Sequence, residues 1–237
     1  NDIVPNDLNG TYDIFIRDTT TGVTSLVTQT PTGQAGNNAN NDYYISADGR
    51  YVAFESYSTN LVTGITDTFA TQDLFVRDLV LGTTRLITRD IGGANAGNGF
   101  SSLVGFSPNS QYVLFNSAAT NLTSGTPDTN GFTDVFIYDL ATSTSTLISI
   151  NSAGVTPTGN SFGAVFSPSN QYVLFRSQAT NLLSGVTDGN TIDDYYVRDI
   201  VNNVTKLVTS NAAGNATGTG GSNSVIGFSP NSQYVLF

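Results

Sequence analysis

Gly105-Phe-Ser-Pro-Asn-Ser-Gln-Tyr-Val-Leu-Phe115 decides the fold, because the chain repeats it. It returns as Val165-Phe-Ser-Pro-Ser-Asn-Gln-Tyr-Val-Leu-Phe175, again over residues 227–237, and more loosely as Tyr44-Ile-Ser-Ala-Asp-Gly-Arg-Tyr-Val-Ala-Phe54. A second signature keeps the same step. Asp13-Ile-Phe-Ile-Arg-Asp18 recurs as Asp73-Leu-Phe-Val-Arg-Asp78, Asp134-Val-Phe-Ile-Tyr-Asp139 and Asp194-Tyr-Tyr-Val-Arg-Asp199, at intervals of 60, 61 and 60 residues. Self-similarity at a fixed period marks a repeat architecture, in which one unit cannot bury its own faces and stability comes from stacking on neighbours.

Within one period, four short runs carry the alternation and the β-branched and aromatic enrichment of strands. In the third copy they cover residues 103–107, 112–117, 134–139 and 144–150, the first two joined by the turn residues Pro108-Asn109-Ser110. No window holds apolar residues at a sustained three-and-four spacing, so helix is expected to be nearly absent. The expected fold is all-β. It is a four-bladed β-propeller of four-stranded antiparallel blades, forming one domain over residues 1–237. The chain opens just before a third strand and stops after a second, so the last blade is expected to be a composite in which residues 227–237 pair with residues 12–28. The alternative is that each open edge recruits a strand from another copy. Phe54, Phe115, Phe175 and Phe237 are expected at equivalent places in the core.

Eighteen acidic against eight basic residues leave a net charge of −10, which argues against a basic patch for nucleic acid or an anionic membrane. Cysteine, methionine, histidine and tryptophan are absent, and Lys206 is the only lysine. Disulfides, zinc–thiolate sites and thiol catalysis are thereby excluded. A thiol-free, acidic chain rich in Asn, Thr, Ser and Gly suits an extracellular or cell-surface setting. No apolar run is long enough to span a bilayer and no signal peptide is visible. The chain does not begin with methionine, which fits a mature or truncated product.

Candidate function lies in the long connections. The link from second to third strand and the link to the next blade emerge at the same end, so one face carries most of the loop mass, where binding usually evolves on a rigid scaffold. One loop type holds more chemistry. Before the third strands stand Asp7-Leu-Asn9-Gly-Thr-Tyr-Asp13, Asp67-Thr-Phe-Ala-Thr-Gln-Asp73, Asp128-Thr-Asn130-Gly-Phe-Thr-Asp134 and Asp188-Gly-Asn190-Thr-Ile-Asp-Asp194. Calcium takes six to eight hard oxygens, and alternate Asp and Asn on a sharply turning loop can converge on one ion. The candidate metal ligands are therefore Asp7, Asn9 and Asp13; Asp128, Asn130 and Asp134; and Asp188, Asn190 and Asp194. Phe69 breaks the pattern in the second loop. The competing reading is that these Asp and Asn residues form Asx turns and cap the strand. The last Asp of each signature (Asp18, Asp78, Asp139, Asp199) is expected to cap a hairpin. Sequons fall at Asn9, Asn121, Asn203 and Asn215.

Catalytic motifs do not emerge. There is no histidine to act as acid, base or ligand, no phosphate loop and no dinucleotide fingerprint, and the only glutamate, Glu55, falls in an expected strand. No enzyme activity is expected.

The elements F-S-P-N-S-Q-Y-V-L-F, A-T-N-L, D-T-N-G-F-T-D-V-F-I-Y-D and Ser46-Ala-Asp-Gly-Arg-Tyr-Val-Ala-Phe54 resemble the TolB-like, WD-repeat-like β-propeller repeats of secreted and envelope-associated bacterial proteins. The resemblance covers the whole chain. It implies a binding or scaffolding module, and some relatives of this kind carry acidic loops suspected of binding calcium. The expected function is a non-catalytic extracellular propeller presenting one loop-rich face to a protein or glycan, with calcium stiffening some loops. The alternatives are a structural subunit of a surface assembly and a carbohydrate-active enzyme using paired carboxylates.

Overall fold

The computed structural model describes residues 3–69, 71–124, 128–151, 153–190, 192–218 and 227–237. Its strands are β1 Phe15–Arg17, β2 Thr24–Leu26, β3 Asn40–Ile45, β4 Tyr51–Ser56, β5 Asp73–Asp78, β6 Thr83–Leu86, β7 Ser101–Phe106, β8 Tyr112–Ser117, β9 Asp134–Asp139, β10 Thr144–Leu147, β11 Ser161–Phe166, β12 Tyr172–Ser177, β13 Asp194–Asp199, β14 Val204–Leu207, β15 Gly227–Phe228 and β16 Val235–Leu236. No helix occurs among the described residues. Three four-stranded antiparallel meanders, β3–β6, β7–β10 and β11–β14, have the form of propeller blades, flanked by two-stranded sheets β1–β2 and β15–β16.

The continuous apolar runs Tyr-Val-Ala-Phe and Tyr-Val-Leu-Phe follow from this stacking. A strand inside a blade has a neighbouring blade on each face, so both its odd and even side chains are buried. In β8, Val113 and Phe115 pack with Ala53, Leu74 and Ile87 of the blade before, while Leu114 packs with Ala164 and Val173 of the blade after. Phe54, Phe115 and Phe175 have no exposed surface, and each stacks on its cross-strand partner, Phe75, Phe136 or Tyr196, with ring centroids 5.6, 5.4 and 5.8 Å apart. Arg77 and Arg198 are buried between blades and donate Nη1 to Thr84 and Thr205, whereas their counterpart Arg17 in β1 is exposed.

The expected composite blade is not formed. Among the described residues β1 pairs only with β2, and β15 only with β16. Ile14 and Val27 pack on Val52 and Phe54 of β4, whereas Phe228 of β15 stacks on Tyr172 of β12 at 6.4 Å, so the two half-blades cap opposite ends of the three-blade stack. Phe237 is accordingly 51% exposed, unlike its three counterparts. The first strand of the first full blade is also open to solvent: Tyr43, Tyr44 and Ile45 of β3 are exposed.

The turns between first and second strands link the blades edge to edge. Ser110, Asn170 and Ser232 adopt φ of 60°, 63° and 59°, where a β-carbon is strained. Each side chain accepts from the preceding blade's turn: Asp48 N to Ser110 Oγ at 3.1 Å, Asn109 N to Asn170 Oδ1 at 2.8 Å, and Ser169 N to Ser232 Oγ at 2.9 Å. Glycine would relieve the strain but could not accept the bond. Replacing Asn170 by alanine loses the bond and keeps the strain, an expected cost of about 1–2 kcal/mol, whereas Asn170→Gly costs less than about 1. Urea midpoints of the two variants beside the parent measure this, and midpoints equal to the parent's in both would show the ladder to be idle.

Candidate functional site

The two long links do emerge on one face, and they are braced into each other. Asn60, Asn121 and Asn181, the Asn of each T-N-L element, accept through Oδ1 from the backbone N of Asn37, Asn98 and Thr158 in the inter-blade loops, at 3.0, 3.1 and 2.9 Å. The adjoining Leu61, Leu122 and Leu182 are buried beneath. Gly99 permits the close approach: a β-carbon there would lie 2.6 Å from the Ala118 carbonyl carbon.

The acidic loops fasten the same surface. Asn9, Asn130 and Asn190 donate Nδ2 to the carbonyls of Gly36, Pro157 and Gly218 in the following inter-blade loop, at 2.7, 2.8 and 2.5 Å. Their Oδ1 atoms accept from Thr11, Phe132 and Ile192 N, closing Asx turns. Asn9 and Asn130 also donate to Asp13 and Asp134 at 2.7 and 3.0 Å. In the Asn9 and Asn130 loops the structure therefore turns the Asn nitrogen rather than its oxygen toward the carboxylate, an orientation fixed by the carbonyl acceptor, whereas Asn190 Nδ2 bonds to the Gly218 carbonyl. The Nδ2 of the Asn9 sequon is committed to these contacts as well.

The first Asp of each third-strand signature has a partner that the sequence reading missed. Asp13, Asp73, Asp134 and Asp194 accept through Oδ1 from the hydroxyls of Thr28, Thr88, Ser149 and Thr209, at 2.5, 2.6, 2.8 and 2.6 Å. Those hydroxyls in turn accept the backbone N of Ile14, Leu74, Val135 and Tyr195. Each relay locks the end of a fourth strand onto the start of a third. A fixed offset of 15 residues from Asp to Thr or Ser was the available signal. The last Asp of each signature caps its hairpin as expected, Asp78 Oδ1 accepting from Val80 and Leu81 N.

Electrostatically these relays are uncomfortable. Burial pushes the carboxyls of Asp73 and Asp134 up to about 7, and raises Asp13, Asp128 and Asp194 as well. Asp128 interacts directly with Asp134, and its Oδ2 is buried with no donor facing it. Asp194 Oδ2 is likewise buried without a donor, with the Asp188 charge nearby. Asp7 is buried and its charge raises Asp13 further. Two carboxyls so placed can share a proton or a cation. Among the described residues no three carboxylates converge in metal-binding geometry. Glu55 is committed elsewhere: Oε1 accepts Leu103 N of the next blade at 2.8 Å and Oε2 accepts Gln72 Nε2 at 2.7 Å.

No family model matches the chain, and no curated protein matches it in sequence. Solved structures do. The chain is 16% identical to TolB from Acinetobacter baumannii, with 94% of this chain and 42% of that one covered and a TM-score of 0.47. An oligogalacturonate lyase solved with manganese is 12% identical at a TM-score of 0.50, covering 85% and 51%. A prolyl endopeptidase is 17% identical at 0.50, covering 84% and 26%. The chain thus spans about half of these proteins or less, and likeness at this identity concerns the fold alone.

Proposed function

We propose that this chain is a TolB-like propeller repeat module that acts as a non-catalytic extracellular binding scaffold. The observation that carries the reading is the mutual bracing of the long loops on one face. A surface fastened before its partner arrives loses little conformational entropy on binding. From that face project Phe69, Phe100, Phe132 and Ile192, all exposed, in keeping with a surface for a protein or glycan partner. Screening the protein against immobilised extracellular polysaccharides and proteins, beside a Phe69→Ser/Phe132→Ser variant of unchanged melting temperature, tests it. Loss of binding in the variant supports the reading; equal binding by both, or none by either, removes it.

Calcium belongs to the same reading in a reduced form. With the Asn oxygens closed into Asx turns, the ion would be held by carboxylate pairs, Asp128 with Asp134, Asp7 with Asp13 and Asp188 with Asp194, completed by loop carbonyls and water. So few protein ligands imply millimolar affinity, in the range of about 10⁻⁴–10⁻³ M. In chelator-treated protein, 5–10 mM calcium is expected to raise the melting temperature by a few degrees through preferential binding to the folded state, and Asp128→Asn should cut that gain. A calcium response identical in Asp128→Asn, or no response at all, leaves the carboxyl pairs as proton-sharing structural elements.

A further inference from the structure

The grooves between adjacent blades follow one plan, and one of them departs from it. Between β1–β2 and β3–β6, and again between β7–β10 and β11–β14, the groove is lined by the third-strand arginine of the following blade, Arg77 or Arg198. Each is tied to a threonine of its own blade. Between β3–β6 and β7–β10 that position is Tyr138, and the groove's basic groups enter from the opposite wall. They are Arg85 and Arg89. The register that sets Leu26, Leu86, Leu147 and Leu207 opposite the central third-strand aromatic makes Ser25, Thr146 and Lys206 the counterparts of Arg85, and Gln29, Ile150 and Ser210 those of Arg89. Only this groove receives two arginines from one wall.

Both guanidinium groups are held by the protein and keep donors free toward solvent, Arg85 partly buried and Arg89 exposed. Arg85 Nη1 donates across the groove to Leu140 O and Ser143 Oγ at 2.9 and 2.8 Å. Arg89 donates Nε and Nη2 to Gly93 O. Among the described residues neither forms an ion pair, and Arg85 Nε and Nη2 and Arg89 Nη1 have no protein acceptor. Asp90 lines the same cavity, yet its carboxylate is engaged by its own turn: Ala94 N and Asn95 N reach Oδ1, and Asn95 Nδ2 reaches Oδ2. The cavity is about 390 Å³, a size suited to a small ligand, and its floor is apolar, with Leu86, Ile87 and Leu122 buried. In a chain of net charge −10, two positioned guanidinium groups that pair with no carboxylate among the described residues, above an apolar floor, are a local exception.

We propose that this groove is a binding site for a carboxylate carried on an apolar body. The planar donors of Arg85 and Arg89 suit the two oxygens of a carboxylate, and the leucine and isoleucine floor takes the hydrocarbon. A phosphate or a short acid lacks the apolar part, and a neutral hydrocarbon lacks the charge. The carboxylate can come from a free small acid or from the C-terminus of an apolar peptide, so both enter the test. Because the protein as a whole repels anions, binding depends on this local pair and weakens with added salt.

Titration calorimetry and chemical-shift mapping would use sodium 4-phenylbutyrate, its amide, inorganic phosphate, and the tripeptide Ala-Leu-Phe with a free or amidated C-terminus. Phenylbutyrate is expected to saturate at low millimolar concentration, with its amide at least about fivefold weaker and phosphate weaker still. Preference for the free tripeptide over phenylbutyrate assigns the site to peptide ends, and the reverse assigns it to free acids. Arg89→Gln should weaken binding by at least about fivefold with an unchanged melting temperature, since its side chain reaches only its own turn. Arg85→Gln should weaken it too, with some loss of stability from the broken Leu140 contact. Equal binding of acid and amide, equal binding by Arg89→Gln, shifts mapping outside the groove, or no saturation by any probe would each overturn the proposal.

Discussion

Phe115→Ala is expected to destabilise the protein by about 3–5 kcal/mol, while the same change at Phe237 costs less than about 1. The two residues occupy the same place in the repeat, yet Phe115 is wholly buried and stacked on Phe136, and Phe237 is half exposed at the end of a two-stranded sheet. Removing the Phe115 ring leaves a cavity between two blades that close packing prevents from collapsing. Urea denaturation of both variants measures the contrast. A cost at Phe237 approaching that at Phe115 would mean that the last strands are covered in solution, by the first half-blade or by another chain, and that the two-ended arrangement is wrong.

Stability is expected to fall as pH rises from about 4 to about 7, and Asp73→Asn should remove a large part of that fall. Asp73 has its carboxyl raised to about 7 by burial, with Thr88 the only hydroxyl among the described residues donating to it. A folded-state value above the unfolded one means that the folded protein binds the proton more tightly. Its contribution is therefore full below about pH 4, is lost as pH climbs to the folded value near 7, and is flat above. Three pH units correspond to a ceiling of about 4 kcal/mol. Partial access to water reduces this to about 2, or roughly 4–8 °C in melting temperature. Asn keeps an oxygen for Thr88 and carries no charge, so Asp73→Asn should melt higher than the parent at pH 8 and match it near pH 4. Asp134 adds a slope of the same sign. In the opposite direction, Asp78, held down by Arg50 and by the Leu81 and Val80 amides, gives stability that is lost as pH falls below about 4. A parent protein whose melting temperature rises steadily from pH 5 to 8 would contradict the Asp73 assignment.

Much of the blade was legible because it is local. Expected strands at 112–117 and 134–139 coincide with β8 and β9, since turn residues and β-branched or aromatic runs fix where a strand starts and stops. The Asx caps at Asp18, Asp78, Asp139 and Asp199 were legible for the same reason, each bonding to amides two and three residues ahead. The acidic loops were read correctly as places where Asp and Asn gather. The bonds from their Asn Nδ2 atoms were not legible, because the carbonyls that accept them lie 27 or 28 residues further along, beyond any local pattern.

By itself the sequence determined the repeat, the all-β class, the bounds of the second and third strands and the exclusion of thiol and histidine chemistry, since each depends on residue type and short-range spacing. Tertiary structure alone decided whether the end strands meet, which carboxyls lie side by side in the interior, and that Arg85 and Arg89 face a groove whose opposite wall supplies Tyr138 in place of arginine. Those properties arise where one blade is laid against the next. Burial, desolvation and charge proximity are set by neighbours about 60 residues away in the chain, a distance at which a single repeat carries no information about what faces it.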